Sequence, residues 1–258
     1  MKLVTWNVNS IRARLDRLID FLKTRAPDVL CLQETKVADD GFPTLELRAL
    51  GYDVAFHGQR TYNGVAILSR TPLADVTRGF GDGDDDAQAR LIAATIEGVR
   101  VASVYVPNGE AVGSDKYDFK LRWMERLRTW AATHVAGDRP ALLCGDFNVA
   151  PAPIDVHDPI AWKDHVLFSE PERAALARVV DTGLVDLIRT MHPTEPMFSW
   201  WDYRMLAFPK GKGLRIDHLL ATPSLAARAV ASGVDRESRK GKQPSDHAAV
   251  WANFGEGD

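Results

Sequence analysis

Cysteine is nearly missing from this 258-residue chain, which has two, Cys31 in "DVLCLQE" and Cys144 in "ALLCGDF". That scarcity excludes a disulfide-built scaffold, and neither residue has a partner at the spacing of a zinc site. Both lie inside apolar, strand-like runs and read as buried free thiols, which fits a reducing compartment. Long hydrophobic runs are missing too. No stretch approaches the roughly 18 uninterrupted apolar residues of a membrane span, and the start "MKLVTWNVNS" lacks the apolar segment of a leader. An uncleaved, cytoplasmic chain with no membrane association is expected. Nor is there an excess of positive charge: with a formal net charge of −3, any grip on a polyanion must be local or metal-assisted.

What is present is an ordinary globular composition, 45% hydrophobic and 26% charged, with one layout used twice. Residues 2–34 read as a strand "KLVTWNV", a helix capped by Ser10 with Ile11, Leu15, Leu18, Ile19 and Leu22 on one face, a break at Pro27–Asp28, and a strand "VLCLQE". Residues 99–148 repeat the plan. "VRVASVYVPNG" is a strand into a turn, Phe119, Trp123, Leu127, Trp130 and Ala131 mark a helix face, "AGDRP" breaks it, and "ALLCGDFN" is a strand. "YDVAFHG", "NGVAILSR" and "ARLIAATIEG" are further strands between the copies. A helix opened by the box Ser169-x-x-Glu172 follows, then strands "MFSWWDY", "LRIDHLLAT" and "AAVWANF". With no low-complexity linker, the expectation is a single domain over 1–258: a four-layered α/β sandwich of two packed mixed sheets flanked by helices, from two similar halves.

Polar residues recur where these strands end. Asn7, Glu34, Tyr105, Asp146, Asn148, Asp217, Asp246 and His247 each follow an apolar run or open one, and Asp146 and Asn148, two apart, would share a side of an extended segment. Singly, each reads as a turn former. Together they are acid-base and oxygen-ligand types with no Lys or Arg partner in view, and converging carboxylates raise one another's pKa unless a cation sits among them. A hard divalent ion such as Mg²⁺ is the economical answer.

"WNVNSIRAR", "LCLQETK", "GVAILS", "YVPNG", "GDFNVAP", "FSWWDYR", "GLRIDHLL" and "PSDHAAVWA" occur in this order. The series resembles the exonuclease III family of AP endonucleases, a branch of the endonuclease/exonuclease/phosphatase superfamily, over essentially the whole chain. The resemblance implies Glu34 as the principal Mg²⁺ (or Mn²⁺) carboxylate, helped by Asn7 and Asp246. It implies Asp146 as the residue that orients or deprotonates the attacking water, with Asn148 holding the phosphate, Tyr105 near the scissile group, and Asp217 orienting a His247 that faces a phosphate oxygen. Trp200, Leu214 and Ile216 would wall a pocket for a flipped-out abasic sugar, where the family often has a larger aromatic than Leu214. Arg12, Lys212 and Arg215, with Arg14, Lys210, Arg239, Lys240 and Lys242, would contact phosphates.

The implied activity is cleavage 5′ to an abasic site in duplex DNA, with 3′→5′ exonuclease and 3′-phosphatase activity, by a monomer whose partner is double-stranded DNA with abasic sites or 3′ ends. Two alternatives remain: a phosphodiesterase of the same superfamily without abasic-site preference, and a DNA-binding module without catalysis. "GDGDDD" at 81–86 reads as a solvated loop, and His57, His134, His157, His165 and His192 as non-catalytic. Asn9 is either a turn residue or a group behind the metal ligands.

Overall fold

The computed structural model describes residues 1–83 and 88–255; residues 84–86 of the "GDGDDD" loop lie outside the described residues. The chain runs β1 (Lys2–Asn7), α1 (Leu15–Arg25), β2 (Val29–Gln33), α2 (Thr44–Arg48), β3 (Asp53–His57), β4 (Val65–Ser69), β5 (Ala74–Arg78), β6 (Leu91–Ile96), β7 (Val99–Tyr105), α3 (Asp115–His134), β8 (Ala141–Asp146), α4 (Glu170–Val180), β9 (Val185–Asp186), α5 (Leu187–Met191), β10 (Asp217–Ala221), α6 (Pro223–Ala226), β11 (Ala229–Asp235) and β12 (Ala249–Phe254). Two six-stranded sheets result, ordered β11-β12-β1-β2-β4-β3 and β5-β6-β7-β8-β10-β9. At the heart of each lies one parallel pair, β1–β2 in the first and β7–β8 in the second. A parallel pair needs a crossover, and α1 and α3 supply it, so the repeated layout of the sequence is the repeated unit of the fold.

Strand alternation builds the layers. Leu3, Cys31, Val101, Cys144, Leu219 and Val250 point inward and form the core between the sheets. On the opposite faces, Val4, Trp6, Leu30 and Leu32 pack with Leu18, Phe21 and Leu22 of α1. Ala102, Val104 and Leu143 likewise pack with Trp123 and Leu127 of α3 and Leu176 of α4. The order is helix, sheet, sheet, helix, as expected. No helix among the described residues is long and apolar enough to cross a membrane.

Two local expectations fail for identifiable reasons. The first helix starts at Leu15, not after Ser10, because Ser10 N and Ile11 N donate to the carbonyls of Glu34 and Thr35 at 2.7 and 3.0 Å. "MFSWWDY" forms isolated bridges only, Trp200 to Leu214 and to His247, and no strand. The box opening α4 is present, with Glu172 Oε1 accepting from Ser169 N and Oγ at 2.8 and 2.6 Å.

Candidate active site

The inward rows of four strands end in polar groups at the same rim of the inter-sheet core. Asn7 continues the row of Leu3 and Thr5, Tyr105 that of Val101 and Ser103, Asp146 that of Leu142 and Cys144, and Asp217 begins the row of Leu219 and Ala221. Register does the rest: Asp146 on β8 is paired with Tyr105 on one side and Asp217 on the other. Asn7 Nδ2 then ties the two sheets together, donating to Glu34 Oε1 at 2.8 Å and Asp146 Oδ2 at 2.9 Å. Beneath them, Gln33 Nε2 donates to Thr5 Oγ1 and Ser103 Oγ, each at 2.9 Å.

Two residues leave the extended pattern to complete the rim. Alternation would send Glu34 to the face opposite Gln33, but its φ of 50° breaks the pattern. Asn148 also has φ 50°, so it shares no strand face with Asp146, contrary to expectation. Instead its backbone N–H donates to Asp146 Oδ1 at 2.9 Å, and its side-chain amide donates to Val106 O at 2.9 Å. A left-handed backbone costs a residue with a side chain about 1–2 kcal/mol, so these bonds have strain to offset. Gly145 admits no side chain at all, since a Cβ there would lie 2.0 Å from Val104 O.

The electrostatics set Asp146 against its neighbours. Burial pushes its carboxyl up to about 7; the His247 cation opposes this, and the Asp217 and Glu34 charges add to it. Burial alone would lower His247, but the carboxylates of Asp217 and Asp146 hold its proton, and its pKa is raised to about 10. Its Nδ1–H donates to Asp217 Oδ2 at 2.9 Å, and its Nε2 faces Asp146 Oδ2 at 3.6 Å. Asp217 is also held by Ser199 Oγ, which donates to Oδ2 at 2.6 Å. Burial and the charges of Glu34 and Asp146 raise the Tyr105 phenol well above its ordinary value, so it is a neutral donor. The Arg90 guanidinium stacks over its ring at 4.7 Å.

Glu34, Asp146 and His247 each place one ligand-type atom within 4.8 Å of the others. A protonated histidine is no ligand, which leaves the carboxylate oxygens of Glu34 and Asp146, hard donors that fit Mg²⁺ or Mn²⁺; Asn7, expected among the ligands, turns its Nδ2 to both carboxylates, and its Oδ1 accepts from Asn9 N at 2.9 Å. Asp246, expected among the ligands, is turned elsewhere. It accepts from Trp200 Nε1 and Asn9 Nδ2, both at 2.9 Å. Burial would raise its pKa, but the His247 cation and these two donors lower it. Nor are the acids without a cationic neighbour: Lys36 Nζ lies 2.8 Å from Glu34 Oε2 and donates to Asn9 Oδ1 at 2.6 Å. Lys36 stands two residues after Glu34 in "QETK", and only the left-handed turn there brings the ends together.

The expected substrate contacts divide. Trp200 is half-buried at the rim, edge-on to Trp162, whereas Leu214 and Ile216 are 0% and 1% exposed, enclosed with Val156, Leu167 and Phe168. Arg12 and Lys212 are exposed. Arg215 is not a surface cation. It is 1% exposed, with Nε 2.7 Å from Asp155 Oδ1 and Nη1 2.8 Å from Asp186 Oδ2. Arg239 is likewise buried, stacked on Tyr203 and Phe208. Sequence reasoning missed Lys36, Ser199 and Ser245, whose Oγ donates to Asn7 O at 2.6 Å and accepts from His247 N at 3.2 Å.

Residues 4–247 match the Endonuclease/Exonuclease/phosphatase family. Exodeoxyribonuclease III of Haemophilus influenzae is 36% identical over 98% of this chain and 100% of its own length. The 3′ phosphatase NExo from Neisseria, solved with a product DNA hairpin, superposes with a TM-score of 0.96 at 42% identity, covering 99% of this chain and 100% of that one. An AP endonuclease from Archaeoglobus fulgidus gives 0.95 at 44% identity, covering 98% and 99%. With the family match over residues 4–247 and relatives of this identity and coverage, the chain belongs to the endonuclease/exonuclease/phosphatase family, in its exonuclease III branch.

Proposed function

We propose that this protein is a metal-dependent AP endonuclease of base excision repair that hydrolyses the phosphodiester 5′ to an abasic site in duplex DNA, with 3′→5′ exonuclease and 3′-phosphatase activity. The observation that carries the reading is Asp146. A buried carboxylate poised near neutrality, with an imidazolium on one side and the amides of Asn7 and Asn148 on the other, suits a group that takes a proton from water beside a bound phosphate. His247, kept protonated by Asp217, faces a phosphate oxygen and offsets the charge that accumulates on it. Asn148 holds a second phosphate oxygen through its amide, and the neutral Tyr105 phenol donates a hydrogen bond. Glu34 and Asp146, bridged by the Asn7 amide, would hold Mg²⁺ or Mn²⁺, which when bound supplies further charge stabilisation of the phosphate.

DNA is the partner this reading requires, and the exposed Arg12 and Lys212 are suited to its backbone. A second reading, an exonuclease or phosphatase without abasic preference, is favoured by the enclosure of Leu214 and Ile216, which leaves Trp200 as the one expected pocket residue presented at the rim. Incubation of the purified protein with abasic, intact, recessed and 3′-phosphate duplexes, with Mg²⁺ or with EDTA, separates the readings. Cleavage 5′ to the abasic site in Mg²⁺ and none in EDTA is expected. Activity confined to 3′ ends would leave the second reading, and full activity in EDTA would remove the metal.

A further inference from the structure

One fully buried cation takes no part in this chemistry. Lys120 projects from α3 with 0% exposure, and its ammonium has three hydrogens and three partners. Nζ donates to Asn148 O at 2.7 Å and Asn108 O at 3.1 Å, and pairs with Glu172. The two carbonyls belong to the loops that leave β7 and β8, the loops that follow Tyr105 and Asp146. The loops are joined again at the side chains, where Asn108 Nδ2 donates to Asn148 Oδ1 at 3.2 Å. Gly109, at φ 94°, lets the lysine stem pass, since a Cβ there would come 3.1 Å from Lys120 Cδ.

The ion pair by itself is a weak reason for a lysine here, because well-packed apolar residues in place of a buried ion pair are often neutral or stabilising; Glu172 already serves the box that opens α4, and what the lysine adds is a donor to two loop carbonyls. The Asn148 carbonyl is directed by the left-handed backbone of that residue, and a donor at the end of that carbonyl resists its return to an ordinary conformation. We propose that Lys120 is a positioning residue that clamps the Asn108 and Asn148 carbonyls and so keeps the Asn148 side-chain amide aimed beside Asp146. The role in the reaction rests on the phosphodiesterase reading; the clamp itself does not.

Removing the lysine alone strands the Glu172 charge, so the variant of choice is Lys120→Met/Glu172→Gln, which removes both charges and leaves an acceptor for Ser169. Lys120→Arg, which keeps the charge and donors, is the rescue control. In ¹⁵N-labelled protein the side-chain amide signals of Asn148, assigned by their loss in Asn148→Ala, are expected to shift or broaden in the double variant and to recover towards wild type in Lys120→Arg. On a 3′-phosphate duplex the double variant is expected to lose roughly tenfold to a hundredfold in kcat with KM near wild type; the two carbonyls left without a donor lower Tm, so rates are compared well below the melting midpoint of the variant. In an Asn148→Ala background the same replacement should change kcat by less than about twofold, since coupled residues are non-additive. Unmoved Asn148 signals, or losses that add in the two backgrounds, would overturn the proposal. A wild-type protein inactive on every DNA would defeat the functional reading, while the amide signals would still decide the clamp.

Discussion

Asp217 and Asp146 are register partners across β10 and β8, and the His247 ring spans them, Nδ1 2.9 Å from Asp217 Oδ2 and Nε2 3.6 Å from Asp146 Oδ2. Asp146 and His247, facing each other, titrate together. The His247 cation lowers the Asp146 pKa, which burial and the Asp217 charge raise to about 7. If ionised Asp146 is the base, kcat/KM falls as pH drops through that region, and a bound divalent cation moves the fall to lower pH by favouring the carboxylate. His247→Asn removes the charge that favours ionisation, so its residual activity should show an acid limb at higher pH than wild type. A limb that stays in place or moves down would show that another group governs it.

Asp146→Asn keeps the size of the side chain and removes the base. A rate loss of roughly 10²–10⁴ is expected, with affinity for uncleaved duplex nearly unchanged in a binding assay. Proportional loss of binding and rate would mean that Asp146 positions DNA and does not move a proton.

Glu34→Ala is expected to raise the Mg²⁺ concentration giving half-maximal activity more than Asp246→Ala does, because Glu34 lies with Asp146 in the converging group and Asp246 is turned to Trp200 and Asn9. Calorimetric titration of metal into the two variants checks this without relying on turnover, and equal weakening would restore Asp246 to the ligands.

Arg215 and Lys212 separate fold from substrate. Truncating one partner of a buried ion group costs about 3–5 kcal/mol, so Arg215→Ala should lower Tm sharply, because Asp155 is left with Arg189 alone and Asp186 loses its pairing with Arg215. Lys212→Ala should leave Tm alone and reduce the slope of log K against log salt for duplex binding by about one. A salt-slope change in Arg215→Ala larger than that in Lys212→Ala would return Arg215 to the DNA surface.

Trp200→Ala should alter the ratio of abasic to 3′-end cleavage, because Trp200 is the rim residue of its cluster. Leu214→Trp, at a fully enclosed site, is expected first to cost about 1–3 kcal/mol through overpacking. Thermal melts of the two variants beside their cleavage ratios tell these effects apart; a Leu214→Trp protein that melts like wild type would mean that the cluster has room to open.

The sequence alone determined the parts of this protein that depend on period and order. Alternation in "KLVTWN", "VRVASVY", "ALLCGD" and "DHLLA" places Asn7, Tyr105, Asp146 and Asp217 on inward rows, and two strand-helix-strand stretches become the two parallel pairs, because period and strand direction are local properties of the chain. Tertiary structure decided what local pattern does not encode. Glu34 and Asn148 reach the rim only through left-handed backbones held by bonds from Ser10, Ile11, Lys120 and Asp146. Arg215 reads as a surface cation until Asp155 and Asp186, distant in the chain, enclose it. Lys36, which the strand-end pattern does not single out, meets Glu34 through the left-handed turn after β2. For Glu34, Asn148 and Arg215 a partner comes from another loop, and the energy of pairing a buried charge or donor, unavailable to an isolated segment, selects the conformation.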